Sequence, residues 1–270
     1  MPSVSNIAVG AAMAGAAASK ARHQMNESIA RLSTGIRSMY GGDAAGQSIA
    51  NSLGAKGASF AVAARNTEVG ISFLQSAESL LLELAALTTR LRELGIAFAN
   101  RDLMLHGNGA GPIHAEGVAI EAAMDSIIEN TKFNGTPLLV SPTNGGGAIT
   151  IGINDQGNTA TVGLTTTFEV ASTIIIGASM NNADATADTA LGEIAISLGK
   201  VAAGMSALKG YQAVASASAA NLKAAAARIQ DTDYALETAN LTKAAILNQS
   251  AMAMVAQANQ AQQAILTVLL

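Results

Sequence analysis

From residue 3 to 111 and again from 143 to 270 the chain carries no proline, and in both stretches apolar side chains recur in alternating steps of three and four. One run is Phe73, Ala77, Leu80, Leu84, Leu87, Leu91, Leu94 and Phe98, with Glu83, Arg90, Arg92 and Glu93 off the seam. A second is Leu191, Ile194, Leu198, Val201, Met205 and Leu208, resuming through Ala215, Ala219, Leu222, Ala226 and Ile229. A third is Leu247, Ala251, Met254, Ala258, Ala261, Ile265 and Val268, and near the start Met25, Ile29, Leu32 and Ile36 repeat the pattern. Such steps average 3.5 residues, the spacing of a helical seam that packs lengthwise on another helix. The pattern predicts a mainly α fold, a long antiparallel helical bundle or coiled-coil rod built from both chain ends. A helix over 58–105 would span about 70 Å at 1.5 Å per residue.

The segment between the prolines reads differently. A shorter helix with Ile120, Met124, Ile127 and Ile128 inward is expected to end near Asn130, before the turn residues Phe133 to Pro137. From Asn144 to Ser179 the chain is rich in Gly, Thr and Ile. Residues 148–153 and 159–164 alternate as strands should, and Asn154 to Asn158 supply the turn of a small β-hairpin. Asn181 to Thr189 lead into the next long helix, with Asp188 or Thr189 as its cap.

Composition sharpens this picture. Half of the 270 residues are hydrophobic but only 3% are aromatic, and Ala makes up roughly a fifth of the chain. Alanine faces suit closely packed helices better than a core of large rings. Charged residues are 13%, about half the usual share, and the net charge is −4, so a nucleic-acid partner, which needs a basic face, is not expected. The absence of Cys removes disulfides, thiolate zinc sites and a Cys nucleophile together. No Lys or Arg precedes Lys20, so a secretory signal's positive region is missing. The uncharged stretch Ala244 to Leu270 is interrupted by Asn248, Gln249, Gln257, Asn259, Gln260, Gln262 and Gln263, which argues against membrane insertion.

Ordered words in the sequence then become specific. Ile29-Ala30-Arg31-Leu32-Ser33-Thr34-Gly35-Ile36-Arg37, followed by Gly42 to Ala50, resembles the N-terminal signature of bacterial flagellin. Leu91-Arg92-Glu93-Leu94 and Phe133-Asn134-Gly135, followed by Leu138-Leu139, are similar to two further flagellin motifs in the expected order. Arg228 to Ala235, Ile246-Leu247-Asn248-Gln249 and Ala256 to Gln260 resemble the C-terminal signature. Among the departures, Tyr40-Gly41-Gly42-Asp43 stands where the family usually has two acidic residues, and Gln262 replaces a common proline.

The resemblance implies a filament subunit, exported by the flagellar type III pathway without a cleaved signal peptide and assembled outside the cell for swimming. It implies an inner terminal-helix domain of 1–33 with 240–270, a helical rod domain of 34–140 with 185–239, and a short β-rich, solvent-facing segment at 141–184. Self-assembly is expected to rest on Ile7, Met25, Ile29, Leu32, Leu247, Ala251, Met254, Ala258 and Ile265 of the terminal helices. These ends, rich in Ala and Gln rather than Leu, are expected to become helical only in the polymer. Besides other copies of the chain, the implied partners are an export chaperone, a filament cap and hook-junction proteins. Arg90, Leu94 and Glu116 read as an exposed helix face that touches the adjacent subunit, with an animal innate immune receptor as the alternative partner.

Catalytic readings find no support. His106 to Pro112 lacks the Lys-Ser/Thr of a phosphate loop and follows no strand, so it reads as a helix connection. His23, His106 and His114 have no metal-binding spacing, and Ser33 and Ser48 lack a His and an acid placed to activate them. No cofactor is expected and no enzyme. The threonines of the middle segment are read as β formers, with O-glycosylation the alternative. Two rival functions are a hook–filament junction protein, which shares both end motifs, and a secreted helical translocator, which should carry an apolar membrane hairpin.

Overall fold

The computed structural model describes all residues except 1, 38–42, 101–109, 140–146, 164–182 and 270, and no side chains at 2–8, 110 and 265–269. The elements are α1 (Pro2–Thr34), α2 (Ala44–Ala99), α3 (Ala110–Asn130), β1 (Lys132–Phe133), β2 (Thr136–Pro137), β3 (Ala148–Gly152), β4 (Thr159–Gly163), α4 (Ala183–Gln230) and α5 (Tyr234–Leu269). The fold is therefore mainly α with two small antiparallel strand pairs, as the periodicity predicts. Two compact units are formed, Met1–Ala55 with Leu222–Leu270 and Lys56–Asn221, and α2 and α4 contribute to both. The last residues of the expected 58–105 helix, the start of the 106–112 connection, and most of the β-rich segment with its Thr165 to Thr173 lie outside the described residues.

In the second unit α2 buries more than one seam. Ala63, Gly70, Ala77, Leu84 and Leu91 form one row at every seventh residue, and Thr67, Leu74, Leu81, Thr88 and Gly95 form another. Phe73 and Leu94 belong to a third, with Leu80 and Leu87 half-buried between them. Three buried rows make a face wide enough for two neighbours. That face shares one core with Met124 and Ile128 of α3, with Leu138 and Leu139, with Ile151 and Val162 of the hairpin, and with Ile194, Val201 and Leu208 of α4. Phe73 meets Phe133 edge to face, with ring centres 5.9 Å apart and planes at 89°.

Local chemistry explains the shorter elements. Pro112 falls in the first turn of α3, where a missing N–H costs nothing. Asn134 and Gly135 both take positive φ, 48° and 84°, the conformation a two-residue hairpin turn requires between β1 and β2. β3 and β4 pair antiparallel from Ala148 opposite Gly163 to Gly152 opposite Thr159. At the tip, the Asn154 side-chain carbonyl accepts from the N–H groups of Gln156 and Asn158. The expected cap of α4 is displaced, because the helix is already running at Ala183. Asp188 instead pairs with Arg92 of α2 at 2.5 Å, and the Thr189 hydroxyl donates to the Ala185 carbonyl. The start is set by packing, since Ala183 and Ala187 are fully buried and only small side chains fit there.

Gly95 marks that close approach. A Cβ on it would lie 2.7 Å from the backbone N of Asp184 and 3.0 Å from the Ala183 Cβ. In an open helix Gly95→Ala would stabilise by about 1 kcal/mol. Here it should instead destabilise by about 1–3 kcal/mol, because backbone must move to admit the methyl. Urea unfolding followed by circular dichroism checks this, and a stabilised variant would show that α2 and α4 separate freely.

α2 and α4 are long and apolar enough to cross a membrane by length and composition, with mean hydropathy 1.3 over an 18-residue window. Alanine raises that average, and the large apolar rows of α2 are already covered by protein.

In the first unit α1 and α5 run antiparallel, with Arg22 beside Asn248 and Met252, and Arg31 beside Glu237. Their Cα atoms approach within 8 Å. Small residues make this possible: Ala14, Ala18, Ala21 and Ser28 are buried on α1, Ala244 and Ala251 on α5. The expectation that the ends become helical only in the polymer differs from this arrangement. Close backbone approach supplies contacts that larger side chains would otherwise provide.

Four helix ends meet beside the pair. Gly35 closes α1 at φ 71°, its N–H donating to the Arg31 carbonyl, and a side chain there would press on the Tyr234 hydroxyl. The Gly35 carbonyl accepts from the Thr232 N–H, and the Arg37 N–H donates to the Gln230 carbonyl. The Arg37 guanidinium caps the end of α4 through the Ile229 carbonyl and reaches Asp43 at 2.7 Å. Asp43 caps α2 by accepting from the Gly46 N–H, and that bond, with Arg37, holds its carboxyl below the ordinary range. Asp233 caps α5 through the N–H groups of Ala235 and Leu236.

Candidate assembly surface

The seam that α5 turns toward α1 is Glu237, Leu241, Ala244, Asn248, Ala251, Val255 and Ala258, in steps of four and three. The apolar run read from sequence shares Ala251 and Ala258 with it, but its other row lies on the flank. Leu247 and Met254 are 47% and 53% exposed, whereas Ala251 is buried. On α1 the packed steps run through Ala14, Ala18, Ala21, Met25, Ser28 and Leu32. Met25 and Leu32 are thus half-buried on the inner seam, and Ile29 is exposed beside it. The side chains of Ile7 and Ile265 lie outside the described residues.

The seven expected assembly residues whose side chains are described therefore separate into two groups. Met25, Leu32, Ala251 and Ala258 hold the helices together, while Ile29, Leu247 and Met254 remain on the surface. Val9, Met13, Ile246 and Met252 are also exposed, and they were not singled out from sequence. Val9 and Met13 are one helical step of four apart in the Ala-rich start of the chain, whereas Ile246 and Met252 share no heptad row and so gave no periodic signal.

Between the helices the exposed flank borders a long open groove. One stretch, of about 550 Å³, runs from Arg31 and Glu237 past Leu247 to Met254. The next is lined by Gly10, Met13, Ala14, Ala17, Met254 and Ala258 and is almost wholly apolar. Ala17 and Met254 line both, so the two stretches are continuous. One charge sits deep at the polar end: Glu237 is 8% exposed and its Oε1 lies 3.6 Å from Arg31 Nη1. No hydrogen bond is made to that oxygen. Sequence reasoning passed over Glu237, because a carboxylate on a seam breaks the apolar pattern used to find it.

Within the second unit, Arg90 of α2 reaches Glu116 of α3 through Nε at 2.9 Å and Nη2 at 2.7 Å. Glu93 accepts from its Nη1 at 2.9 Å. These two carboxylates, Glu116 first, raise the Arg90 pKa above its ordinary value. All three side chains are about half exposed, so the cluster holds α2 to α3 only weakly. Leu94, expected on the exposed face with Arg90 and Glu116, is 4% exposed. Its place in the heptad seam decides this, since Leu94 falls one turn beyond Leu91 on the core side. Among the described residues no group of three or more His, Asp or Glu is placed to hold a metal.

Comparison with known proteins agrees with the geometry at both ends. Residues 5–142 match the bacterial flagellin N-terminal helical region, and residues 184–269 match the bacterial flagellin C-terminal helical region. The chain is 31% identical to flagellin FlaB2 of Treponema pallidum, over 91% of this chain and 92% of that one. It is also 31% identical to the flagellin of Bacillus subtilis, over 88% and 90% of the two chains. The flagellar filament 33 kDa core protein of Treponema phagedenis is again 31% identical, over 91% and 92%. With both terminal regions matched in order, and relatives aligned along nearly their whole length, this chain belongs to the bacterial flagellins, the structural subunits of the flagellar filament.

Proposed function

We propose that the subunit polymerises through its terminal helix pair, with the exposed flank of α1 and α5 covered by neighbouring copies. The observation that carries this is the set of Met13, Ile29, Ile246, Leu247, Met252 and Met254, large apolar side chains left exposed on a pair whose own buried positions are Ala or Ser apart from Glu237. Burying each such side chain is worth about 1.5–3 kcal/mol, so a few together exceed the cost of association. Gln24 and Asn240 line the groove beside charged residues at its polar end and Gln257 lines its apolar stretch, and such neutral amides hydrogen-bond between subunits without the penalty of buried charge. Unlike surfaces meeting head to tail generate an open helix rather than a closed ring.

On this reading the protein does no chemistry. It is exported by the flagellar type III pathway without a cleaved signal, and works outside the cell as part of a lattice that converts torque into thrust. The chaperone, cap and hook-junction proteins of that pathway are its other partners. The domain division follows the same logic, with 1–33 and 240–270 as the inner terminal-helix domain, 34–140 with 185–239 as the helical rod domain, and 141–184 as its short β-rich segment. Arg90 and Glu116 lie on the face offered to an adjacent subunit, with Leu94 acting from the core beneath them.

Seeded polymerisation tests the central claim. Purified chain heated to monomer and cooled with salt and short seeds should give long filaments by electron microscopy. A chain truncated after Lys243 should give none. Leu247→Asp, which alters only an exposed position, should slow elongation tenfold or more. Equal growth from the truncated chain would overturn the assignment of assembly to the ends.

A further inference from the structure

Among the residues whose side chains are described, the exposed methionines are Met13, Met252 and Met254, and all three lie on α1 or α5. Met124, in the core of the other unit, is 1% exposed, and Met25 and Met205 are half-buried. Met13 and Met254 line the same apolar stretch of groove, one from each helix. Apart from Gln257, their neighbours there, Gly10, Ala14, Ala17, Ala258 and Ala261, are small, and Met13 and Met254 remain 70% and 53% exposed. Met252 differs: the Arg22 guanidinium donates to its Sδ at 3.3 Å. That hydrogen bond occupies a sulfur lone pair and lowers its nucleophilicity.

We infer that Met13 and Met254 form a paired oxidation site through which peroxide prevents the free subunit from assembling. A thioether lone pair attacks one oxygen of hydrogen peroxide. The O–O bond breaks as the S–O bond forms, and the departing hydroxide takes the remaining proton and leaves as water. Sulfur is oxidised by two electrons and peroxide is reduced by two, so no further reactant is needed. The product is a strongly dipolar sulfoxide at the centre of an apolar surface. A neighbouring copy would have to desolvate two such groups in a groove whose lining is apolar apart from Gln257. Assembled subunits are protected, because the neighbour that completes the interface covers both sulfurs. The inference rests on the assembly reading above and adds a chemical control to the same surface.

The test treats free subunit with hydrogen peroxide, removes it with catalase, and measures elongation from untreated seeds. Peptide mass spectrometry on the same sample counts the oxygen on each methionine. Met13 and Met254 should gain oxygen first, Met252 later, and Met124 last. Elongation should fall tenfold or more, and oxidation of Met13 and Met254 in preformed filaments should be at least tenfold slower than in the free subunit. The double variant Met13→Leu, Met254→Leu is compared with its own untreated sample, so any effect of Leu on assembly cancels. Its elongation should change less than twofold on treatment. A fall of less than tenfold in the treated wild-type chain, or an equal fall in the double variant, would overturn the inference. Oxidation of Met252 at the same rate as the pair would overturn the protective role given to Arg22. Failure of the untreated chain to elongate would instead sink the assembly reading itself.

Discussion

Phe73→Ala should destabilise the second unit by about 3–5 kcal/mol, the range for removing a fully buried aromatic ring. Phe73 is 0% exposed, and it is the largest side chain in the rows that α2 turns inward. Its ring meets Phe133 edge to face, so truncation removes transfer energy, leaves a cavity, and strips the β1–β2 hairpin of an aromatic partner. The fully buried Leu74 and Ala77 sit beside it on the same helix and are held in place by the other rows, which limits collapse into the space. Phe73→Leu should cost about half as much, since most of the volume is retained. Urea unfolding monitored by circular dichroism gives both values. A loss below about 1 kcal/mol for the alanine variant would mean that the site closes over the cavity, and would contradict the packing described.

Removing Arg31 should be nearly as damaging to the terminal pair. Glu237 is 8% exposed and Arg31 is the cation beside it, so Arg31→Leu leaves a carboxylate buried without compensation. Breaking a fully buried pair costs about 3–5 kcal/mol. With Arg31 itself 29% exposed, about 2–3 kcal/mol is the expected loss. Changing both partners, Arg31→Leu with Glu237→Leu, should restore most of it, because apolar replacements of similar size are often neutral or better. The two singles and the double form a cycle whose coupling energy should exceed about 1 kcal/mol. Hydrogen exchange at the amides of α1 and α5 is the readout. A double variant as unprotected as Arg31→Leu would show that the guanidinium acts through packing rather than charge. A restored double variant whose contacts slip by one heptad would show that the pair sets register, as a polar residue on an otherwise small-residue seam can.

Legibility in the sequence was uneven for physical reasons. The seam through Phe73, Leu84 and Leu91 was readable because its side chains are large and the neighbouring surface positions are charged. The same contrast exposed the hairpin, where Ile151 and Val162 alternate with Thr150 and Thr161. In α5 the contrast failed. Alanine occurs on both the packed and the open faces, so Leu247 and Met254 looked like seam residues while the true inner row ran through Leu241, Asn248 and Val255. The start of α4 was misplaced for a related reason. Asp188 and Thr189 have capping chemistry, but the tight contact at Gly95 and Ala183 requires the helix to begin earlier. Leu94 shows the opposite case, in which the periodic position was right and the motif-based expectation of exposure was not.

The antiparallel pairing of the first helix with the last has a consequence for the order of folding. Arg22 and Asn248, which touch across that pair, are 226 residues apart along the chain. Bringing such distant points together in an otherwise unstructured chain costs about 5 kcal/mol of loop-closure entropy, and contacts of that range form slowly. Local contacts such as the β3–β4 hairpin face no comparable delay. The terminal pair is therefore the last part of the molecule able to form. A chain that emerges from a narrow conduit with either end leading must carry its first helix unpaired until its opposite end is free. The same topology that closes the subunit thus leaves its exposed terminal surface incomplete until both α1 and α5 are free to pair.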